Sequence, residues 1–357
     1  MGLREESETD MPCIFEHPVS HKKDCAFAVC EDELITFEGQ MWCVYHLPMG
    51  GWSKTPSRKA GYGAKAVGDF NARLFGCIDD KLVRDAQVAP GDSGFDLSGV
   101  VFPGPVSFAD RTLPAVRFDE AEFNGGAYFS GAYFSGAVSF VDARFADFAY
   151  FSEVSFNGGA VFNGAHFGGI TSFLDAQFAQ EARFAGAYFG DFASFSEAGF
   201  AGLADLAGAR FADDASFAQA RFSRSATFNN ASFGKDAVFE SAGFSGEALF
   251  AKAQFGRDAL FVDTCFGAYA DFTDAHYCGN ADYSVTLQGD LPTDVTAQNC
   301  SFQGVSFVGA DFGRTTTFSN RPFAARSDFT RCDFIVLPVL RGCTFYDAIA
   351  LPDAAAI

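Results

Sequence analysis

The chain has 357 residues, of which 48% are hydrophobic, with a mean hydropathy of +0.07 and a formal net charge of −20. That charge disfavours nucleic acid and anionic membrane and favours basic protein surfaces. No apolar run approaches the roughly 18 residues that a membrane span requires.

Residues 1–12 are acidic and polar and read as a disordered leader. They lack the apolar stretch of a secretory signal, and Met1-Gly2-Leu3-Arg4-Glu5-Glu6 lacks the Ser or Thr that completes a myristoylation signal. The expectation is a cytoplasmic protein. Residues 13–50 are rich in Cys and His. Cys25, Cys30, Cys43 and His46 have zinc-ligand chemistry and short pair spacings, x4 and x2, around 12 residues that could form a hairpin. Cys13 and His17 could replace one ligand or form a half-copy. A structural zinc would staple a segment with few apolar residues of its own; the alternative is a set of free thiols. The stretch Trp42-Cys43-Val44-Tyr45-His46-Leu47-Pro48 resembles a Cys-x2-His element that precedes some bacterial pentapeptide repeats.

Residues 51–94 divide in two. Gly51 to Gly68 carries Lys54, Arg58, Lys59 and Lys65 and no acid, which predicts a flexible basic linker. Four charges on a chain of net charge −20 make direct nucleic-acid binding a weak expectation. Leu74, Ile78 and Leu82 fall at i, i+4 and i+8, predicting a short helix over 69–86 that caps the first repeat.

From 95 to 351 the chain is a repeat. Phe123, Phe129, Phe134, Phe140, Phe145, Phe151, Phe156 and Phe162 succeed one another at alternating steps of five and six. A small residue sits two positions before almost every one: Ala121, Ala127, Ala132, Val138, Ala143, Ala149, Val154, Ala160. Two inward residues per five or six cannot lie on one face of a helix with a 3.6-residue period. They fit a short extended segment and a turn, repeated. Four such sides close a square coil of 22 residues, giving about eleven coils. This stacks Phe123, Phe145, Phe167, Phe189, Phe211, Phe233 and Phe255 in one column and Phe129, Phe151, Phe173, Phe195, Phe217, Phe239 and Phe261 in another. A narrower two-sided coil could not hold its own rings. Leu206 replaces one Phe, and the pattern breaks over 284–299 before resuming at Phe302. Of ten cysteines, Cys300, Cys332 and Cys343 fall in the small slot and read as buried apolar groups. Residues 352–357 form a short tail. The apolar segment Tyr346 to Ile357 either covers the last coil or pairs with a second copy, as in a homodimer through this end.

The register Ala127-Tyr128-Phe129-Ser130-Gly131 and Ala132-Tyr133-Phe134-Ser135-Gly136 resembles the pentapeptide-repeat family, in its Phe-rich branch. The resemblance implies an all-β solenoid, a right-handed quadrilateral β-helix. It also implies a non-enzymatic protein. Some members that protect DNA gyrase are thought to imitate DNA, so gyrase or another DNA-binding protein becomes a candidate partner.

Catalytic candidates are poor. His166 and His276 adjoin inward rings and so point outward. The pairs Asp119–Glu120 and Asp213–Asp214 lack the cleft that acid–base work needs, and no nucleotide-binding or nucleophile-elbow motif is present. Charge is the remaining signal. Between residues 119 and 214 lie thirteen acids, Asp119, Glu120, Glu122, Asp142, Asp147, Glu153, Asp175, Glu181, Asp191, Glu197, Asp205, Asp213 and Asp214, against three arginines. Spread over about 21 Å of rod, their net charge approaches one per about 2 Å, near the one per roughly 1.7 Å of duplex DNA. The reading is a rigid protein-interaction scaffold whose partner is unknown. The alternative is a DNA mimic that uses these acids as a partner-binding face.

Overall fold

The computed structural model describes residues 34–50, 54–85, 94–286, 301–323, 325–347 and 349–350. The expectations for the leader, Cys13, His17, Cys25, Cys30, Cys300, the tail and most of the 284–299 break lie outside the described residues.

From Gly94 onward, strands of two or three residues form four parallel sheets, which are the four sides of the coil, and one further parallel pair, Pro322–Phe323 with Thr344–Phe345. Face 1 runs through twelve strands from Gly94–Asp96 to Ile349–Ala350, and face 2 through eleven from Val101–Phe102 to Asp333–Phe334. Face 3 has ten strands, Val106–Ser107 to Thr316–Thr317, and face 4 eight, Thr112–Leu113 to Cys265–Phe266. Pairing is in register at 22 residues: Phe145 lies opposite Phe123 and Phe167, and Ala149 opposite Ala127 and Thr171. About eleven coils of a quadrilateral solenoid result, as the spacing predicts.

Alternation along each strand sends Ala and Phe inward. Phe123, Phe145, Phe167, Phe129, Phe151 and Phe173 are all buried. Rings of one column lie parallel, with centroids 4.5 Å apart for Phe123–Phe145 and 4.7 Å for Phe129–Phe151. Across the interior, rings of faces 1 and 3 meet edge to face, as Phe129 and Phe140 do at 5.5 Å and 88°. Such rings thus make both favoured aromatic geometries. The small slot beside those rings is mostly Ala, as at Ala127, Ala132, Ala143 and Ala149, all buried. In some of the slots that hold a donor, the donor finds a ring carbonyl: Thr264 Oγ1 reaches Phe239 O at 2.6 Å, and Cys332 Sγ reaches Phe307 O at 2.8 Å. Cys332 is therefore buried as expected, but as a donor and not only as an apolar group. Leu206 is buried in the face 1 column and leaves the coil intact.

The five-residue steps have a cause. They come after faces 1 and 3, and there the backbone turns left-handed two residues past the central residue. Asp142 has φ 54°, Glu153 59° and Gly164 66°, and the same holds from Gly99 to Gly342, with Val285, two residues past Tyr283, the exception. Glycines hold some of these corners, and Asp, Glu, Asn, Gln, Ser, Lys or Arg hold the others. Asp and Asn tolerate this conformation better than most residues. The Asp142 carboxylate also fills the space over Gly164 one coil on, where a Cβ would collide with it.

The N-terminal segment is a cap. β1 (Ile35–Phe37) and β2 (Gln40–Trp42) form the hairpin expected between the cysteine pairs, turning at Glu38 and Gly39 with positive φ. Helix α1 (Ala64–Asp85) begins five residues earlier than the periodicity predicts. Its first turn docks on the solenoid, with Val67 lying against Gly104. Phe70 meets Tyr45 at 5.6 Å and Phe102 at 6.2 Å, and Phe75 meets Phe108 at 5.1 Å. The expected basic linker is also ordered in part. A 3-10 turn covers Arg58–Gly61, and Lys59 is fully buried, donating to Tyr45 O at 3.0 Å and Leu47 O at 3.1 Å. Its ammonium also lies 4.9 Å from the centre of the Phe70 ring. Lys59 is thus committed to the cap and leaves the set of candidate nucleic-acid contacts.

Near the far end of the rod, Ile335, Leu337 and Tyr346 are exposed.

Candidate functional site

The thirteen acids do not share one face. Asp147, Asp191, Asp213 and Asp214 lie on the corner between faces 2 and 3, and Glu153, Asp175 and Glu197 on the corner between faces 3 and 4. Asp119, Glu120 and Asp142 occupy the corner between faces 1 and 2. Glu122 is on face 2, Asp205 on face 1 and Glu181 between faces 4 and 1. The charge is a belt around the rod.

Several of these acids serve the backbone. Asp119 is buried; it pairs with Arg117 at 2.6 Å and accepts from Ser139 Oγ and from Val141 N at 3.1 Å. Asp214 accepts the amide of Asp236 at 3.0 Å, Asp236 that of Asp258 at 3.2 Å, and Asp258 that of Asn280 at 2.9 Å, so one corner carries a carboxylate ladder from coil to coil. Asp205 accepts from Ala207 N at 3.0 Å, and Glu181 pairs with Arg183 at 2.7 Å. Lys235 lies 2.5 Å from Asp213, and its hydrogen bond holds that carboxyl below the usual range. Glu120, Asp142, Glu153, Asp175 and Glu197 are the left-handed turn residues described above. Their position was not legible from charge; the signal was their recurrence two residues after a Phe.

Face 3 and its two corners differ from faces 1 and 2 in lacking bases, and from face 4, which also lacks them over residues 132–137, 154–159, 176–181 and 198–203, in carrying several exposed acids. Over residues 127–131, 147–153, 169–175, 191–197 and 213–219 they contain no Lys or Arg. Asp147, Glu153, Asp175, Asp191 and Glu197 are exposed there. Arg144 and Arg210 point out from face 2, and Arg183 from face 1.

The histidines are outward as expected. His276 pairs with Asp311 at 2.8 Å, and His166 stacks on Tyr188 at 4.7 Å. A hollow of about 920 Å³ beside Glu122, Asp142, Arg144 and His166 is open to the surface and does not enclose a substrate.

In the cap, Cys43 and His46 converge. Cys43 Sγ lies 3.1 Å from His46 Nδ1, and His46 Nε2 lies 3.2 Å from Ser98 O. A proton on Nε2 satisfies that carbonyl and leaves the Nδ1 lone pair facing the thiol, the tautomer a metal ligand needs. Both groups are buried. Among the described residues no three His, Cys, Asp or Glu side chains gather closely enough to hold a metal. The donor chemistry of this pair fits half of a zinc site. Nor is any described helix long and apolar enough to cross a membrane.

The family model described as "Pentapeptide repeats (9 copies)" matches residues 97–154, 118–166, 151–199 and 195–243. Residues 97–243 belong to the pentapeptide-repeat family. Searches of curated proteins and of solved structures returned no match. The matched stretches cover the first part of the Phe columns and the whole acidic belt.

Proposed function

We propose that this chain is a non-enzymatic binding module: a stiff rod that presents charge to a basic protein partner. The observation that carries the reading is the acid-only side of the rod, face 3 with its two corners, which bears exposed carboxylates and no base over several coils. Its test is capture of partners by the immobilised full chain at low salt. Neutralising Asp147, Glu153, Asp175, Asp191 and Glu197 together to Asn or Gln should abolish capture. So should raising ionic strength from about 0.05 to 0.5 M, because exposed charges are screened within a few ångströms there. Capture that survives both changes refutes the reading.

A second reading, mimicry of DNA toward gyrase or another DNA-binding protein, is favoured by the belt-like spread of the acids, since duplex DNA also presents charge all round. It requires competition: duplex DNA must displace the chain from the partner. The cap is proposed to be stapled by a structural zinc, with Cys43 and His46 as two ligands and Cys25 and Cys30 as the others. Metal analysis of the purified chain, with Cys43→Ser as control, tests this.

A further inference from the structure

Face 3 is unusual in apolar surface as well as in charge. The interior column behind it is complete, with Phe129, Phe151, Phe173 and Phe195 buried, so packing does not call for more aromatic groups. Yet Tyr128, Phe148, Leu174 and Phe192 stand exposed on this face and its corners. Tyr128 and Tyr150 succeed one another along the rod at 5.7 Å, and Phe148 lies nearly parallel to Tyr150, at 5.9 Å and 14°. Asp147 and Asp191 border the strip on one side, and Glu153, Asp175 and Glu197 on the other.

We propose that this strip is the docking surface for an arginine-rich segment of a protein partner. The inference rests on the binding-module reading and names the class of partner. Aromatic faces bordered by carboxylates suit a guanidinium better than an ammonium. The guanidinium is planar, stacks on rings and donates in a fork to a carboxylate, whereas the ammonium is compact and strongly hydrated. Charge complementarity favours a basic occupant, and the ring ladder selects arginine within that class. A strip built for charge alone would have no use for Tyr128, Phe148 and Tyr150 at its surface.

The test is fluorescence anisotropy of the full chain with labelled nona-arginine and nona-lysine peptides. Nona-arginine is expected to bind several-fold more tightly. Phe148→Ser with Tyr150→Ser, which changes no charge, should weaken nona-arginine about fivefold and bring the two peptides level. Phe192→Ser, made separately, should act in the same direction and covers the case in which the double variant does not fold. Glu122→Gln with Asp142→Asn, around the rod from the strip, should leave the affinity within about twofold, as distant screened charges do. Equal affinity for both peptides, or equal loss in the Glu122/Asp142 control, overturns the proposal. If the aromatic variants bind nona-arginine normally while neutralising the five carboxylates still abolishes partner capture, the ring ladder is refuted and the binding-module reading stands.

Discussion

Arg321 stands where the repeat calls for a small residue, two positions before Phe323, and it is fully buried. Replacing it tests how the rod survives its own interruption. In regular coils the carbonyl of the small-slot residue on face 4 accepts an amide from the next coil, as Ala242 O does from Cys265 N. The carbonyl of a face 3 ring accepts from the amide three residues on, as Phe239 O does from Ala242 N. At the break both patterns change. Thr286 N turns instead to Asp263 Oδ1 at 2.7 Å. Arg321 supplies the donors: Nη1 to Thr264 O and Nε to Tyr283 O, each at 2.6 Å, with Nη2 to Phe261 O at 3.0 Å. Its guanidinium also lies 5.3 Å from the Phe302 ring. Arg321→Ala strands Thr264 O and Tyr283 O at roughly 1–3 kcal/mol each. It also opens a cavity, for a total of about 3–5 kcal/mol, with Arg321→Lys losing less. Because each coil touches only its neighbours, the loss should stay local. Hydrogen-exchange mass spectrometry should show lost protection in residues 301–347 and retained protection in 97–240. Unchanged protection on the C-terminal side, or equal loss on both sides, would refute the reasoning.

Other expectations come from the same geometry. Gly164→Ala places a Cβ at φ 66° and against the Asp142 carboxylate, and should cost about 1–3 kcal/mol in chemical denaturation. Phe184→Ala should cost about 3–5 kcal/mol, whereas Phe184→Leu should cost far less because Leu206 already fills the next place in that column. Burial pushes the Cys332 thiol up to about 12, so peptide mapping of the native protein should find it unalkylated at pH 9. Its folded pKa lies above the unfolded value, so its neutral burial stabilises fully below about pH 9 and that contribution fades as pH rises through about 12. The buried Tyr277 and Tyr283 hydroxyls are shifted the same way, so these groups should lower the melting temperature above about pH 9 and not below it. Unchanged melting between about pH 9 and 12 would count against this account.

The columns were legible because a solenoid applies one rule many times: Ala and Phe at fixed spacing state the coil length, the strand direction and the inward face together. Phe145 needed no context beyond Phe123 and Phe167. The break was legible only as a break. The register puts Arg321 in the small slot, but nothing local says why a guanidinium belongs there, because its partners, Thr264 and Tyr283, are 57 and 38 residues away and the need for a donor arises where the regular coil is interrupted. Lys59 was misread for the same reason. Its charge suggested solvent, but the carbonyls of Tyr45 and Leu47 come together only when the cap folds onto the first coil.

The acidic belt shows how composition can overstate a site. Counting assigned thirteen acids to one role, yet the fold gives many of them work of their own. Asp119 satisfies a buried turn, Asp214 caps an amide of the next coil, and Glu120 and Asp142 hold left-handed corners of a kind that several glycines also hold. A carboxylate needed by the backbone would persist with no partner at all. The discriminating feature is therefore where exposed acids stand without bases; face 4 also lacks bases over residues 132–203 but carries few acids. Faces 1 and 2 offset their acids with Arg117, Arg183, Arg144 and Arg210, and Lys235 answers Asp213, as a soluble rod with mixed surface charge would. Face 3 offsets none over residues 127–197 and adds exposed rings that its interior does not require. Solubility explains neither feature, whereas a basic partner explains both.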